Sequence, residues 1–203
     1  MSAGISFIIS GICISLLINI VYFSKERIDS YETKIYGYLI FANLVGLLVE
    51  FGCSILIPQG YTPPFIENLF VKTYLIYLVG WSILFFYYVV IVNKENYAEV
   101  RSKLIKITTI LFAVMSLSLL VLPVEHVFSN NDVYSVGPAV DATYVYTGMI
   151  IVAMVVVLVT NVKNVRSKKN LPLLAFVLLG TMVAFIQARH PELLMISAME
   201  AYV

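Results

Sequence analysis

The sequence predicts an all-α, polytopic membrane protein: one bundle of about seven transmembrane helices with a small extracellular β-hairpin. Of its 203 residues, 61% are hydrophobic and only 12% are charged, whereas soluble domains carry about 25% charged residues. Six apolar runs approach the roughly 20 residues that a helix needs to cross a bilayer. Basic residues also cluster in alternate connecting segments, which is typical of multi-pass proteins.

Prolines and glycines delimit the predicted helices. Pro58 and Gly60 close the second run, Pro123 closes the fourth and Pro172 opens the sixth, because proline ends a helix but is tolerated in its first turn. A seventh run starts near residue 193 and is cut short at Val203; its eleven residues reach only about 16 Å. We therefore expect the natural protein to continue past Val203. The predicted spans are 4–24, 35–57, 66–92, 104–123, 143–162, 172–188 and 193–203, all within a single transmembrane domain.

The distribution of lysine and arginine predicts the orientation in the membrane. Eleven of the 13 basic residues fall in the connections after the first, third and fifth helices, and such connections stay on the cytoplasmic side. The N-terminus is thus expected outside the cell and the C-terminus in the cytoplasm, in a multi-pass protein of the plasma membrane. The eleven residues are Lys25, Arg27, Lys34, Lys94, Arg101, Lys103, Lys106, Lys163, Arg166, Lys168 and Lys169.

The connection between the fourth and fifth helices has its own predicted structure. Two β-prone segments, 124–127 and 133–136, flank the polar run 129–132, a pattern typical of a hairpin. Because an isolated hairpin is only marginally stable, we expect segment 124–137 to rest as a lid on the outer rim of the bundle.

Ionisable residues inside the predicted helices define a candidate outer polar layer. Glu50, Lys72 and Glu200 each lie six or seven residues from the outer end of their helix, about 9–11 Å deep, and Gln187 and Arg189 lie near the outer end of the sixth. Intramembrane charges often mark functional sites, so a ligand pocket or polar switch is one interpretation. The other is that Lys72 pairs with Glu50 or Glu200 to lock the helices, or extends to the headgroups.

Aromatic residues are concentrated in the third helix. Tyr74, Tyr77 and Trp81 occur on successive turns of it and are candidates for the aromatic wall of a hydrophobic ligand site. The alternative is that these rings provide packing surface and lipid contact. Asn19 and Asn43 lie in the inner halves of the first two helices and are expected to hydrogen-bond across helix interfaces.

Motifs for catalysis and for cofactors are not visible. The sequence has no phosphate-binding glycine loop and no nucleophile elbow, and the spacing of His126 and His190 matches no zinc signature. No metal, cofactor or nucleic acid is therefore expected, and the partner predicted from composition is the lipid bilayer. Cys13 and Cys53 lie in apolar runs and are expected to be packed thiols rather than a disulfide.

Three segments carry a resemblance to a known family. They are Val-Tyr-Ser-Val-Gly-Pro-Ala-Val at 133–140, the tyrosine-rich third helix, and residues 192–203 at the start of the seventh. With the overall layout, they resemble the N-terminal seven-helix sensor region of bacterial sensor histidine kinases of the Firmicutes type. The resemblance implies an input module that relays an external or membrane signal through its last helix to a cytoplasmic kinase domain in the same longer chain, and it implies a homodimer.

The part of such a kinase that performs catalysis is missing from this sequence. It has no phosphoacceptor histidine and no ATP-binding motif, so no catalytic residue can be carried over and enzyme activity would reside in the parent protein. A small multi-pass transporter or channel is the alternative function, but it requires a polar path to both sides of the membrane. A membrane enzyme ranks third because no catalytic constellation is visible.

Overall fold

The computed structural model describes residues 3–26, 28–57, 63–93, 97–129, 132–160 and 170–189. In these ranges the chain forms six α-helices and one two-stranded antiparallel sheet. All six predicted apolar runs are helical, whereas the predicted seventh helix, 193–203, lies outside the described residues. The elements are α1 (Ala3–Ser24), α2 (Tyr31–Leu56), α3 (Pro64–Asn93), α4 (Tyr97–Val121), β1 (Glu125–Ser129), β2 (Asp132–Val136), α5 (Pro138–Thr160) and α6 (Asn170–Arg189).

The helices have the length and composition of membrane spans. Within the described ranges, five of them are long and apolar enough to cross a bilayer, and α6 contributes a shorter apolar stretch, Leu173–Arg189. Large apolar side chains on α1 and α4 are exposed, such as Leu17 and Ile110, at 63% and 65%. A soluble protein does not leave so much contiguous apolar surface in water. The chain is therefore a membrane helix bundle, and the described part falls short of the predicted seven spans.

Local capping explains why two helices begin earlier than predicted. The Ser30 side chain accepts a hydrogen bond from the Thr33 backbone N–H at 3.1 Å, so α2 starts at Tyr31 rather than at residue 35. Gly137 has a φ of 112°, a left-handed conformation that suits glycine. It lets the chain turn directly from β2 into Pro138, the first residue of α5.

The central element is α3, which contacts α2, α4, α5 and α6, while α1 packs mainly on α2. Val79, Phe85 and Val89 of α3 are at most 2% exposed. The Asn19 side-chain amide donates to the backbone oxygens of Ser15 and Ile40, at 2.8 and 3.0 Å. This second bond joins α1 to α2 and confirms the interhelical role predicted for this asparagine.

The hairpin lies where the sequence predicted it. Strands β1 and β2 pair antiparallel, with Glu125 opposite Val136 and Ser129 opposite Asp132. The hairpin connects the last turn of α4 to the first turn of α5, and β2 contacts α5. We call this end of the bundle, where α2 and α6 end and α3 begins, the hairpin end. The exposed Lys25, Lys34 and Lys103 lie toward the opposite end.

The contact between α2 and α3 depends on a glycine. A Cβ atom at Gly46 would overlap the Tyr77 ring, whose hydroxyl donates to Asn43 Oδ1 at 3.4 Å. We expect Gly46→Ala to displace this ring and to destabilise the bundle by about 1–3 kcal/mol, as overpacking does. Thermal unfolding in phosphatidylcholine nanodiscs would measure the loss.

A second glycine of the same helix supplies the matched control. A Cβ at Gly52 would make only ordinary contact with Phe70, at 3.8 Å, so Gly52→Ala should leave the unfolding temperature unchanged or raise it slightly. Equal effects of the two substitutions would show that the close approach of Tyr77 does not determine how α2 and α3 pack.

Candidate functional site

A cavity of about 400 Å³ lies inside the bundle. Its walls come from α2, α3, α5 and α6, and residues of β2 border it at the hairpin end. Its volume falls in the range of small-molecule sites, roughly 300–1,000 Å³. Most of the lining is apolar, with a few polar side chains, which is the composition expected of a binding site rather than of a water channel.

Polar groups gather at the hairpin end of the cavity. The Glu50 carboxyl is 2% exposed, and its Oε1 accepts a hydrogen bond from the Tyr74 hydroxyl at 2.8 Å. Gln187 of α6 is also buried there, at 6% exposed, and Ser135 of β2 completes the border. Glu50 lies six residues before the end of α2, about 9 Å from it. A carboxyl group is thus held at the depth that the sequence predicted.

The deep half of the cavity is mostly aromatic and apolar, and the hydroxyl of Ser82, which also lines it, donates to the Leu78 backbone oxygen at 2.9 Å. The rings of Trp81 and Phe85 stack, with centroids 5.4 Å apart and planes 18° apart. The Phe176 ring from α6 meets Phe85 edge-on at 5.1 Å, and Met154 of α5 closes the group. The Trp81 indole Nε1 is covered by its neighbours and has no hydrogen-bond partner among the described residues. The polar character of the cavity therefore decreases from the hairpin end inward.

Below the deep half, apolar side chains close the bundle. On each of three lining helices, a buried residue lies one turn beyond the deepest lining position: Val89 on α3, Leu158 on α5 and Leu173 on α6. All three belong to one hydrophobic cluster. Because a turn is 5.4 Å long, they form an apolar floor immediately beneath the cavity. The described residues thus enclose a pocket with one polar end and one apolar end.

Four of the eight residues predicted for a functional site line this one cavity. Glu50 and Gln187 of the predicted polar layer are brought together there with Tyr74 and Trp81 of the predicted aromatic wall. The third wall residue, Tyr77, does not line the cavity; it faces Gly46 and Asn43 of α2.

Two basic residues of the predicted polar layer lie elsewhere. The Lys72 ammonium donates to the backbone oxygen of Leu120 at 2.6 Å, toward α4, a helix that contributes no lining residue. Lys72 precedes Tyr74 by two positions and so lies about 200° around the helix from it. Arg189 is exposed, with its guanidinium carbon 5.1 Å from the Phe185 ring centroid. Neither residue is among those that line the cavity with Glu50, and Glu200 lies outside the described residues.

The sequence interpretation missed the contribution of α5. No residue of this helix was among the predicted site residues, yet Thr143, Thr147 and Gly148 all line the cavity. The signal was present as Thr147 and Gly148 four and five positions after Thr143, but it is weak because threonine and glycine are common in membrane helices. Cys53, expected to be a packed thiol, is a buried free cysteine that also lines the cavity.

No family model, no curated protein and no solved structure matches this chain. In the described ranges, no group of three or more histidine, cysteine, aspartate or glutamate side chains is placed to hold a metal ion. The function must therefore be argued from the cavity itself.

The position of Lys72 can be checked by substitution. We expect Lys72→Met to remove the bond to Leu120 and to weaken the docking of α4 by about 1 kcal/mol, the usual net contribution of an exposed hydrogen bond. The fluorescence maximum of Trp81, the only tryptophan, should not change, because Lys72 faces away from the cavity. Thermal unfolding and emission spectra in nanodiscs measure both effects.

The neighbouring Thr73 gives the control, since its hydroxyl bonds only to Leu69 within α3, at 2.7 Å. Thr73→Val should leave the unfolding temperature close to that of the natural protein. A shifted Trp81 spectrum in Lys72→Met alone would return Lys72 to the cavity wall.

Proposed function

We propose that this chain is the membrane-embedded signal-input module of a two-component histidine kinase. In this proposal a small molecule enters the cavity from the hairpin end, and its presence changes how the helices pack. The change is relayed to a cytoplasmic kinase domain in the same longer chain. The observation that carries the proposal is the cavity itself, with a buried carboxyl at one end and an apolar floor at the other.

The shape of the cavity favours binding over passage. A transporter or channel needs a polar path that reaches both ends of the bundle. Here Val89, Leu158 and Leu173 are at most 8% exposed beneath the cavity, and the polar side chains of the lining lie mainly near the hairpin. A molecule that enters can therefore bind and leave by the same route, which suits a sensor.

The connections between helices offer a means of relay. Four helices line the cavity, and the central α3 contacts the other three as well as α4. A ligand that prefers one of two packings shifts the equilibrium by its difference in affinity, and a few kcal/mol suffice. The last described lining helix, α6, precedes segment 192–203, which the family resemblance assigns to the start of the output helix.

The orientation and the output partner are also part of the proposal. The hairpin end would face outward and the end with Lys25, Lys34 and Lys103 would face the cytoplasm, in keeping with the retention of basic connections on that side. The kinase partner and the homodimer are supported by the resemblance of segments 133–140 and 192–203 and of the tyrosine-rich third helix.

A larger side chain inside the cavity tests whether filling the cavity changes the helix spacing at the opposite end of the bundle. Gly148 lines the cavity, and a Cβ there would meet no atom within 4 Å. Gly148→Leu should thus fill part of the space without a clash. Nitroxide labels are placed at Lys34→Cys on α2 and Val159→Cys on α5, in a background that carries Cys13→Ala and Cys53→Ala. We expect double electron–electron resonance to show that Gly148→Leu shifts the distance between the two labels.

The matched variant is Gly148→Ala, whose single methyl group leaves most of the cavity empty, so its distance distribution should equal that of the Gly148 chain. Identical distributions for all three chains would overturn the proposal, because cavity filling would then have no effect beyond the cavity. Uptake of a polar solute by liposomes containing the protein, abolished by Gly148→Leu, would overturn it in favour of the transporter alternative.

A further inference from the structure

We infer that the cavity binds a single-chain amphiphile, with a neutral or cationic hydrogen-bonding head at the hairpin end and a hydrocarbon tail that ends against the ring cluster of Trp81, Phe85 and Phe176. This inference rests on the proposed role of the cavity as a ligand site, and it names the class of ligand. It follows from three properties of the lining: the change of polarity with depth, the sign of the charge, and the size.

Polarity changes along one direction of the cavity. Near the hairpin the lining offers the Glu50 carboxyl, the Gln187 amide and the hydroxyl of Ser135. About two turns further in, it offers the stacked rings of Trp81 and Phe85. A uniformly apolar molecule would cover the first group without adding a hydrogen bond to it, and a uniformly polar one would lose its hydration against the second. A molecule with one polar end matches both.

Charge restricts the nature of the polar end. The described lining contains one acidic side chain, Glu50, and no basic one. Lys72 is directed to the Leu120 oxygen, and Arg189 lies on the exposed outer edge, with its guanidinium over Phe185, a lining residue that is itself 62% exposed. An anionic head would be placed near a carboxyl and would find no cation in the described wall. A head that donates hydrogen bonds, such as an ammonium or a hydroxyl, is complementary to the Glu50 carboxyl.

Size distinguishes a single-chain amphiphile from a bilayer phospholipid. From Tyr74 to Phe85 the α3 wall is eleven residues long, about 16 Å, which suits one extended chain of moderate length. The volume of about 400 Å³ is near the low end for ligand sites. A phospholipid would have to place two chains in this space and its phosphate beside Glu50. We therefore assign the cavity to one chain.

Trp81 makes the test direct, because it is the only tryptophan of the chain and lines the tail region. The probes are 12-bromododecylamine, 12-bromododecanol and 12-bromododecanoate, whose terminal bromine quenches indole fluorescence on contact. The protein is held in phosphatidylcholine nanodiscs at pH 8.5, where the amine is charged and the carboxylate ionised. We expect saturable quenching by the amine and the alcohol at concentrations about tenfold lower than by the carboxylate.

Three variants separate binding to the cavity from partition into the bilayer. Gly148→Leu should abolish saturable quenching and leave only the linear background, whereas Gly148→Ala should retain it. Glu50→Gln keeps an oxygen that can accept the Tyr74 hydrogen bond but removes the ionisable carboxyl. It should weaken the amine about tenfold, weaken the alcohol less and strengthen the carboxylate.

The outcomes that overturn the inference differ from those that overturn the proposed function. Carboxylate binding as tight as amine binding would refute the assigned head group. Quenching that stays linear for all three probes, or that survives Gly148→Leu, would refute the amphiphile. If Gly148→Leu still shifts the distance between labels on α2 and α5, the sensor proposal stands without this ligand. Saturable quenching with no such shift would leave a binding site that does not signal.

Discussion

Hydrocarbon cannot hydrogen-bond, and this constraint governs the whole molecule. Every backbone N–H and C=O within the bilayer must pair inside the protein, so the apolar runs can only be helices. Polar side chains in those helices are subject to the same rule. Asn19 resolves it by donating to Ile40 of the neighbouring helix, and Lys72 by reaching the Leu120 oxygen. Glu50 is turned inward, where Tyr74 donates to it.

The central helix shows how one segment can build several environments at once. Successive residues of a helix project about 100° apart, so neighbours in sequence face different partners. On α3, Lys72 faces α4, Tyr74 faces the cavity and Tyr77 packs against Gly46 of α2. Further along, Trp81 and Phe85 return to the cavity side, seven and eleven residues after Tyr74. The cavity wall is thus a stripe of α3, and the rest of the helix holds the bundle together.

The sequence allowed the helices and the hairpin to be predicted, because 20-residue apolar runs and a polar turn between β-prone segments are strong local signals. The starts of α2 and α5 were placed late because the cap at Ser30 and the turn at Gly137 extend those helices beyond their apolar cores. The distance of a residue from its helix end can also be counted along the sequence, and Glu50 and Gln187, grouped on that basis, both line the cavity.

Direction around the helix axis is less accessible from sequence, because it depends on which neighbour packs on which face. The depths of Lys72 and Arg189 were predicted in the same way as that of Glu50, by counting residues from the helix end. Lys72 nevertheless faces α4, and Arg189 faces the exposed surface. The threonines of α5 were missed for the related reason that lining the cavity depends on which face of α5 packs towards α3. Hydrophobic periodicity cannot supply that information when a helix is apolar all round, as α5 nearly is.

The cavity itself gives a physical reason to expect two packings of the bundle. In protein cores, empty volume costs about 24 cal/mol per Å³, so a void of about 400 Å³ would cost of the order of 10 kcal/mol if it were sealed and empty. This approaches the whole stability of a typical domain. Partial opening to lipid or water lowers the cost, but the helices still gain by closing together when nothing occupies the space. Under the sensor proposal, occupancy keeps α2, α5 and α6 apart and departure allows them to approach, so that the cavity couples the presence of a ligand to helix spacing.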